Sequence, residues 1–192
     1  MEPLRVLIAD DESIRLMSLR AQLTSLGHRV VAEASNGEEA VALAAATQPD
    51  LAIIDIKMPV MDGIEATERI MEARPIPIIL LTAYSEAQLV ERAAQASIAA
   101  YLMKPVSEED LLPTITLALI RFRQFQALRE EVASLREALE VRKMVERAKG
   151  ILMRRLGLSE DEAFRRLQRQ SQDTNRRLAQ VAEAIVVADQ LL

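Results

Sequence analysis

The sequence predicts a doubly wound α/β domain with a five-stranded parallel sheet, then a helical coiled-coil connector and a small three-helix bundle. Three observations carry this reading. Short aliphatic runs alternate strictly with longer helical patterns over the first two thirds of the chain; the alternation then stops; and a 3-4-3-4 apolar spacing precedes the remaining helical patterns. The corresponding segments are 1–120, 121–140 and 141–192.

The strands are read at 5–9, 30–34, 51–54, 78–82 and 99–102. They are continuously apolar, as strands of a parallel sheet covered on both faces are. Between them the sequence predicts helices at 13–26, 38–47, 64–74 and 86–96, with another from about 108, joined by right-handed crossovers. Leu16, Leu19, Leu23 and Leu26 mark one face of the first helix, and Gly27 supplies its C-terminal cap. Ser107 with Asp110 resembles a capping box, so a long helix starts there with Pro113 near its beginning.

Along that helix Phe125, Leu128, Val132, Leu135 and Leu139 form the seam of a short coiled coil. An amphipathic helix folded back on the first domain is the alternative. A further helical pattern at 144–156 is closed by Gly157, the capping box Ser159 to Glu162 opens the next, and the last runs from about Asn175 to the end. Leu178, Val181, Ala182, Ile185 and Val186 give the last helix an apolar stripe, and Phe164 is expected in the bundle core.

Composition narrows the chemistry. The 192 residues contain no cysteine and the single histidine His28, which excludes disulfides, thiolate metal sites and any site needing two imidazoles. A bound metal must therefore be hard, such as Mg2+. No apolar run approaches the roughly 18 residues needed to span a bilayer, and no signal-peptide core follows Met1, so a cytoplasmic chain without membrane association is expected. The net charge of −5 conceals an asymmetry: residues 1–120 carry 9 basic against 18 acidic groups, whereas residues 142–177 carry 11 against 5. That basic stretch suits an anionic partner, or a solvated arginine-rich surface.

Ligands of open parallel sheets bind outside the carboxyl ends of the strands. Asp10 and Asp11 follow the first strand, Asp55 ends the third, Thr82 ends the fourth and Lys104 follows the fifth. Three converging carboxylates need a cation, and a hard divalent ion beside an ammonium and a hydroxyl is the equipment of phosphoryl transfer. Asp55 would attack phosphorus, Lys104 would neutralise the equatorial oxygens, and the acyl phosphate would recruit the Thr82 hydroxyl. Singly, each residue has an ordinary structural explanation; five at strand ends in this order do not.

The motifs VLIADDE, IIDIKMPVMDG, ILLTAYS and AYLMKP resemble the receiver domain of two-component response regulators across residues 4–120. The resemblance implies the flavodoxin-like receiver fold, Mg2+ ligands at Asp10, Asp11, Asp55 and the Lys57 backbone carbonyl, and phosphorylation of Asp55. It implies switch roles for Thr82 and Tyr101, a Lys104 counter-ion, a cis Lys104–Pro105 peptide, and loop-shaping roles for Pro59 and Gly63. A sensor histidine kinase would be the phosphodonor, and the domain would catalyse only its own phosphorylation and slow dephosphorylation, so the chain is not expected to be an enzyme. The Lys57 side chain, two residues beyond Asp55, could alter the lifetime of the phosphoryl group.

The segment from Arg142 through Val186, with its ERAKGILM, GLSEDEAF and NRRLAQVAEAIV runs, resembles an ANTAR domain, the three-helix RNA-binding output module of transcription antitermination regulators. Ser171 and Gln172 depart from the family's common Ala and Met. The resemblance implies contacts to RNA hairpins, for which Arg147, Lys149, Arg169, Arg176 and Arg177 are the candidates; phosphorylation is expected to favour a homodimer through the receiver surface and the coiled coil. With one aromatic in the bundle, arginines rather than a stacking platform would do the recognition. A DNA-binding helical output or a protein-docking output are the alternatives that composition leaves open.

Overall fold

A computed structural model describes residues 2–83 and 99–190, in which the chain forms two compact units divided after Gln126. In the first, β1 (Arg5–Ala9), β2 (Arg29–Ala34), β3 (Leu51–Asp55), β4 (Ile78–Thr82) and β5 (Ala100–Met103) form one sheet in the order β2-β1-β3-β4-β5. Every pairing is parallel. The doubly wound order reverses at β1 and β3, which puts a crevice at the carboxyl ends of those two strands.

Helices α1 (Ser13–Ser25), α2 (Gly37–Thr47) and α3 (Gly63–Ala73) fill the connections. The helix expected at 86–96 lies outside the described residues. Asn36 and Asp62 cap α2 and α3 by accepting the N–H groups of Glu39 and Glu65 at 2.9 and 2.8 Å. Gly27, at φ +82°, ends α1 in the left-handed conformation that the sequence predicts for its cap.

Alternation along the strands builds two cores. Val6, Ile8, Ile53, Ile79 and Leu81 join Leu16, Leu19 and Leu23 of α1, with Leu111 and Ile115, on one face. Leu7, Ala9, Ile54, Ile78 and Leu80 join Ala40, Ala44, Ile64 and Ile70 of α2 and α3 on the other. Each fully buried leucine or isoleucine contributes about 1.5–3 kcal/mol, so both faces anchor the strand ends that carry the site.

His28 lies in the turn from α1 to β2, buried, with Nδ1 accepting the Leu4 N–H at 3.3 Å. Burial holds its imidazole below the ordinary value of 6.5, so the fold keeps it neutral while the unfolded chain protonates. Stability is therefore expected to fall as pH drops below about 6.5, and His28→Gln to flatten that slope in denaturation curves between pH 5 and 7.5.

Helix α4 runs unbroken over Glu108–Leu156, with the Ser107 hydroxyl accepting the Asp110 N–H at its start and Pro113 in its second turn. Its seam residues Leu128, Val132, Leu135 and Leu139 are exposed. In the second unit the end of α4 packs with α5 (Glu160–Thr174) and α6 (Leu178–Gln190) around Val145, Ala148, Ile151, Leu152, Ala163, Leu167, Val181, Ala182 and Val186. Ser159 and Glu162 complete the capping box that opens α5. Two expectations are corrected. Asn175 takes the left-handed conformation that closes α5 (φ 51°), so the last helix starts at Leu178; and Phe164 is 36% exposed rather than core.

Candidate phosphoacceptor site and output surface

The crevice gathers the residues expected at the strand ends. Asp10 is 1% exposed and Asp55 4%, and with the exposed Asp11 they bring one carboxylate oxygen each within 4.8 Å of one another. The Asp10 N–H continues β1 by donating to the Ala34 carbonyl, and its Oδ1 accepts the Glu12 N–H at 2.9 Å. Lys104 crosses the cluster, its Nζ 2.9 Å from Asp10 Oδ2 and 2.7 Å from Asp55 Oδ2. Its own N–H donates to the Thr82 carbonyl, and the Lys104–Pro105 peptide is cis. A cleft of about 250 Å3 opens over these groups, lined by Asp11, Glu12, Arg15, Asp55, Lys57, Ala83 and Lys104.

Burial pushes the Asp55 carboxyl above the ordinary carboxylate range, against the opposing pull of the Lys104 ammonium; the Asp10 charge raises it further and the Lys57 N–H bond lowers it. Three hard oxygen donors crowded at one point, two of them buried, fit a divalent cation of the Mg2+ type. Thr82 is 2% exposed at the end of β4, its hydroxyl donating to the Ala83 carbonyl at 3.2 Å, whereas Tyr101 on β5 is 55% exposed.

Two features of the site escape sequence reading. Gly63 begins α3 directly beneath Asp55: a Cβ there would stand 2.0 Å from the Asp55 carbonyl oxygen. Arg15 reaches the carboxylates from α1, with Nη2 2.6 Å from Glu12 Oε1 and Nη1 3.4 Å from Asp10 Oδ1. A signal for Arg15 did exist: a cation in the first turn of a helix opposes the macrodipole unless anions face it.

In the second unit Arg147, Arg169, Arg176 and Arg177 are exposed. Lys149, expected among the RNA contacts, is instead buried at 8% exposure, its Nζ 2.9 Å from Glu146 and 2.7 Å from Glu160 and 6.0 Å from the Phe164 ring centre. The hydrogen bonds it donates to Glu160 and then to Glu146 raise its ammonium above the usual lysine value. It ties α4 to the start of α5. Arg165 and Arg166, not anticipated, line a cleft of about 440 Å3 with Arg169, and Arg166 and Arg176 flank another of about 350 Å3 floored by Leu152, Val181 and Ile185. Ser171, one of the two departures, donates its hydroxyl to the Arg176 carbonyl at 2.6 Å and so fixes the α5–α6 turn beside that cleft.

Comparison with known proteins decides the lineage of both units. The response regulator receiver domain model matches residues 6–116 and the ANTAR domain model matches residues 133–186. The chain belongs to the response regulators and carries an ANTAR output domain. It is 49% identical over 184 residues to the transcriptional regulatory protein PdtaR of Mycobacterium tuberculosis, covering 96% of this chain and 90% of that one. The receiver is similar in structure to the signal receiver domain of a modulated diguanylate cyclase from Desulfovibrio desulfuricans, with TM-score 0.60 and 34% identity over 64% of this chain and 98% of that one. It is also similar to a chain of the CheX–CheY–BeF3–Mg2+ complex of Borrelia burgdorferi, with TM-score 0.56 and 31% identity over 59% of this chain and 87% of that one. As a response regulator the chain implies a phosphodonor such as a histidine kinase. No helix among its described residues is long and apolar enough to cross a membrane.

Proposed function

We propose that this response regulator accepts a phosphoryl group on Asp55 from a sensor histidine kinase and, so modified, binds RNA hairpins to promote transcription antitermination. The observation that carries this reading is the pairing, in one chain, of a carboxylate–lysine cluster at the receiver crevice with an ANTAR bundle whose exposed cations are arginines. Domain limits of 1–120, 121–140 and 141–192 are proposed with it.

An Asp55 carboxylate oxygen attacks phosphorus, the P–N bond of phosphohistidine breaks, and an acyl phosphate forms. Lys104, already bonded to Asp55, moves with the charge onto the phosphoryl oxygens. Asp10, Asp11, Asp55 and the Lys57 backbone carbonyl would hold Mg2+, which would supply charge neutralisation on the transferring group. The Thr82 hydroxyl turns from the Ala83 carbonyl toward the acyl phosphate, and exposed Tyr101 on the neighbouring strand responds. The chain takes one phosphoryl group and turns over no other substrate. The open seam of Leu128, Val132, Leu135 and Leu139 then pairs two copies, and two bundles engage paired hairpins with gained avidity.

Arg147, Arg169, Arg176 and Arg177, joined by Arg165 and Arg166, are the proposed RNA contacts; Lys149 is withdrawn from that set because both its carboxylate partners already hold it. Binding of a paired-hairpin RNA and of duplex DNA across a salt series tests this. RNA should be preferred, with log Kd rising against log salt by roughly 4 to 5 for about six contacts. Arg169→Gln should reduce that slope by about 1 and Lys149→Gln should leave it unchanged. Preference for duplex DNA, or binding to neither, would replace RNA recognition with a DNA-binding or a protein-docking output.

A further inference from the structure

Arg15 has no part in the chemistry just described, yet it addresses the same carboxylates. It is the third residue of α1, at the helix end where the macrodipole disfavours a cation. Its guanidinium is held there by anions: Nη2 bonds Glu12 Oε1 at 2.6 Å, while Nη1 stands 3.4 Å from Asp10 Oδ1 and 4.0 Å from Asp55 Oδ2. Lys104 holds Asp10 Oδ2 and shares the Asp55 oxygen, so two tethered cations divide the buried pair of carboxylates between them. They differ in freedom. Lys104 is 16% exposed and wedged between its partners, whereas the Arg15 side chain is 43% exposed and keeps its shortest bond on Glu12, outside the cluster.

A guanidinium and a divalent cation repel, and both draw on the charge of Asp10 and Asp55. We propose that Arg15 is a tethered competitor of the divalent cation: it neutralises the acidic cluster until Mg2+ enters, then retreats to Glu12. This rests on the reading of Asp10, Asp11 and Asp55 as the metal-binding cluster of the phosphoacceptor site. Its consequence is a raised Mg2+ concentration threshold for a competent receiver. Glu12, which anchors the retreat, is a positioning residue in the same device.

The test is a Mg2+ titration of the full-length chain at constant ionic strength, followed by NMR through backbone amides of the β1–α1 turn and the Arg15 Nε–H signal. Arg15→Gln should bind Mg2+ about tenfold more tightly than wild type, the effect of removing a unit charge roughly 6 Å from a divalent one. Arg15→Lys, which keeps the charge, should fall between the two. In wild type the Arg15 Nε–H signal should shift in step with Mg2+ saturation. Should the Gln variant fail to fold, the Lys variant and the side-chain signal carry the test. Equal affinity in wild type and both folded variants, or an Arg15 signal unmoved by Mg2+, overturns the proposal while sparing the metal cluster. Absence of Mg2+ binding in wild type overturns the cluster and the proposal together.

Discussion

Asp55→Asn is expected to abolish phosphoryl incorporation, lowering it at least 1,000-fold, to background, while leaving the receiver folded. The amide lacks the charge and lone-pair basicity of the carboxylate that attacks phosphorus, and no neighbour replaces it: Asp10 is as deeply buried but is held by Lys104, the Glu12 N–H and Arg15. Burial raises the Asp55 carboxyl above its unfolded value, so its charged form is the costly one in the fold, and its contribution to stability is lost as pH rises through the shifted value. A neutral amide removes that cost and the repulsion from Asp10, and Lys104 keeps its bond to Asp10. The melting temperature at pH 7 should therefore not fall. Acid-labile phosphate incorporated from a small-molecule phosphodonor, measured beside a thermal melt, checks both halves.

Gly63→Ala should have the largest effect on stability of any small substitution in the receiver. The added methyl would lie 2.0 Å from the Asp55 carbonyl oxygen, 2.8 Å from its carbonyl carbon and 3.1 Å from Ile54 Cγ2. Two of those three atoms are backbone, and they cannot rotate aside. The Gly63 N–H donates to the Ile56 carbonyl at 2.9 Å, so α3 is bonded to the chain it would have to leave. Overpacking of this kind costs about 3 kcal/mol or more, and in a domain of this size each kcal/mol lowers the melting temperature by about 3–5 °C. A drop of about 10 °C is expected, with slower phosphorylation of the surviving folded protein because Asp55 shifts with its carbonyl. Thermal melts with phosphorylation rates measured well below the transition give both numbers.

How far such features are legible in the sequence depends on the range of the interaction. β1, β3 and β4 emerge within a residue of their positions because uninterrupted aliphatic runs between polar segments have few other uses in an α/β chain. β5 starts one residue later than its apolar pattern suggests, since its beginning is fixed by pairing Ala100 with Ile79, a long-range fact. The acidic cluster is legible because β1 and β3 are neighbours in a parallel sheet, so Asp10, Asp11 and Asp55 at their carboxyl ends meet at one crevice. Lys149 illustrates the opposite case. Its bond to Glu146, one turn away, is visible as an i, i+3 pair, but the bond to Glu160 crosses the turn between α4 and α5 and exists only once the bundle packs. The cost of a side chain at Gly63 is likewise invisible, because the atom it would strike belongs to a strand eight residues earlier.

On the proposed reading, phosphorylation at the receiver governs RNA binding by the bundle. The most direct test measures the affinity of the full-length chain for a paired-hairpin RNA with and without beryllofluoride and Mg2+, alongside molar mass by light scattering. At least tenfold tighter binding with the phosphoryl mimic is expected, accompanied by doubling of the mass. RNA affinity and mass that are both indifferent to the mimic would contradict that reading.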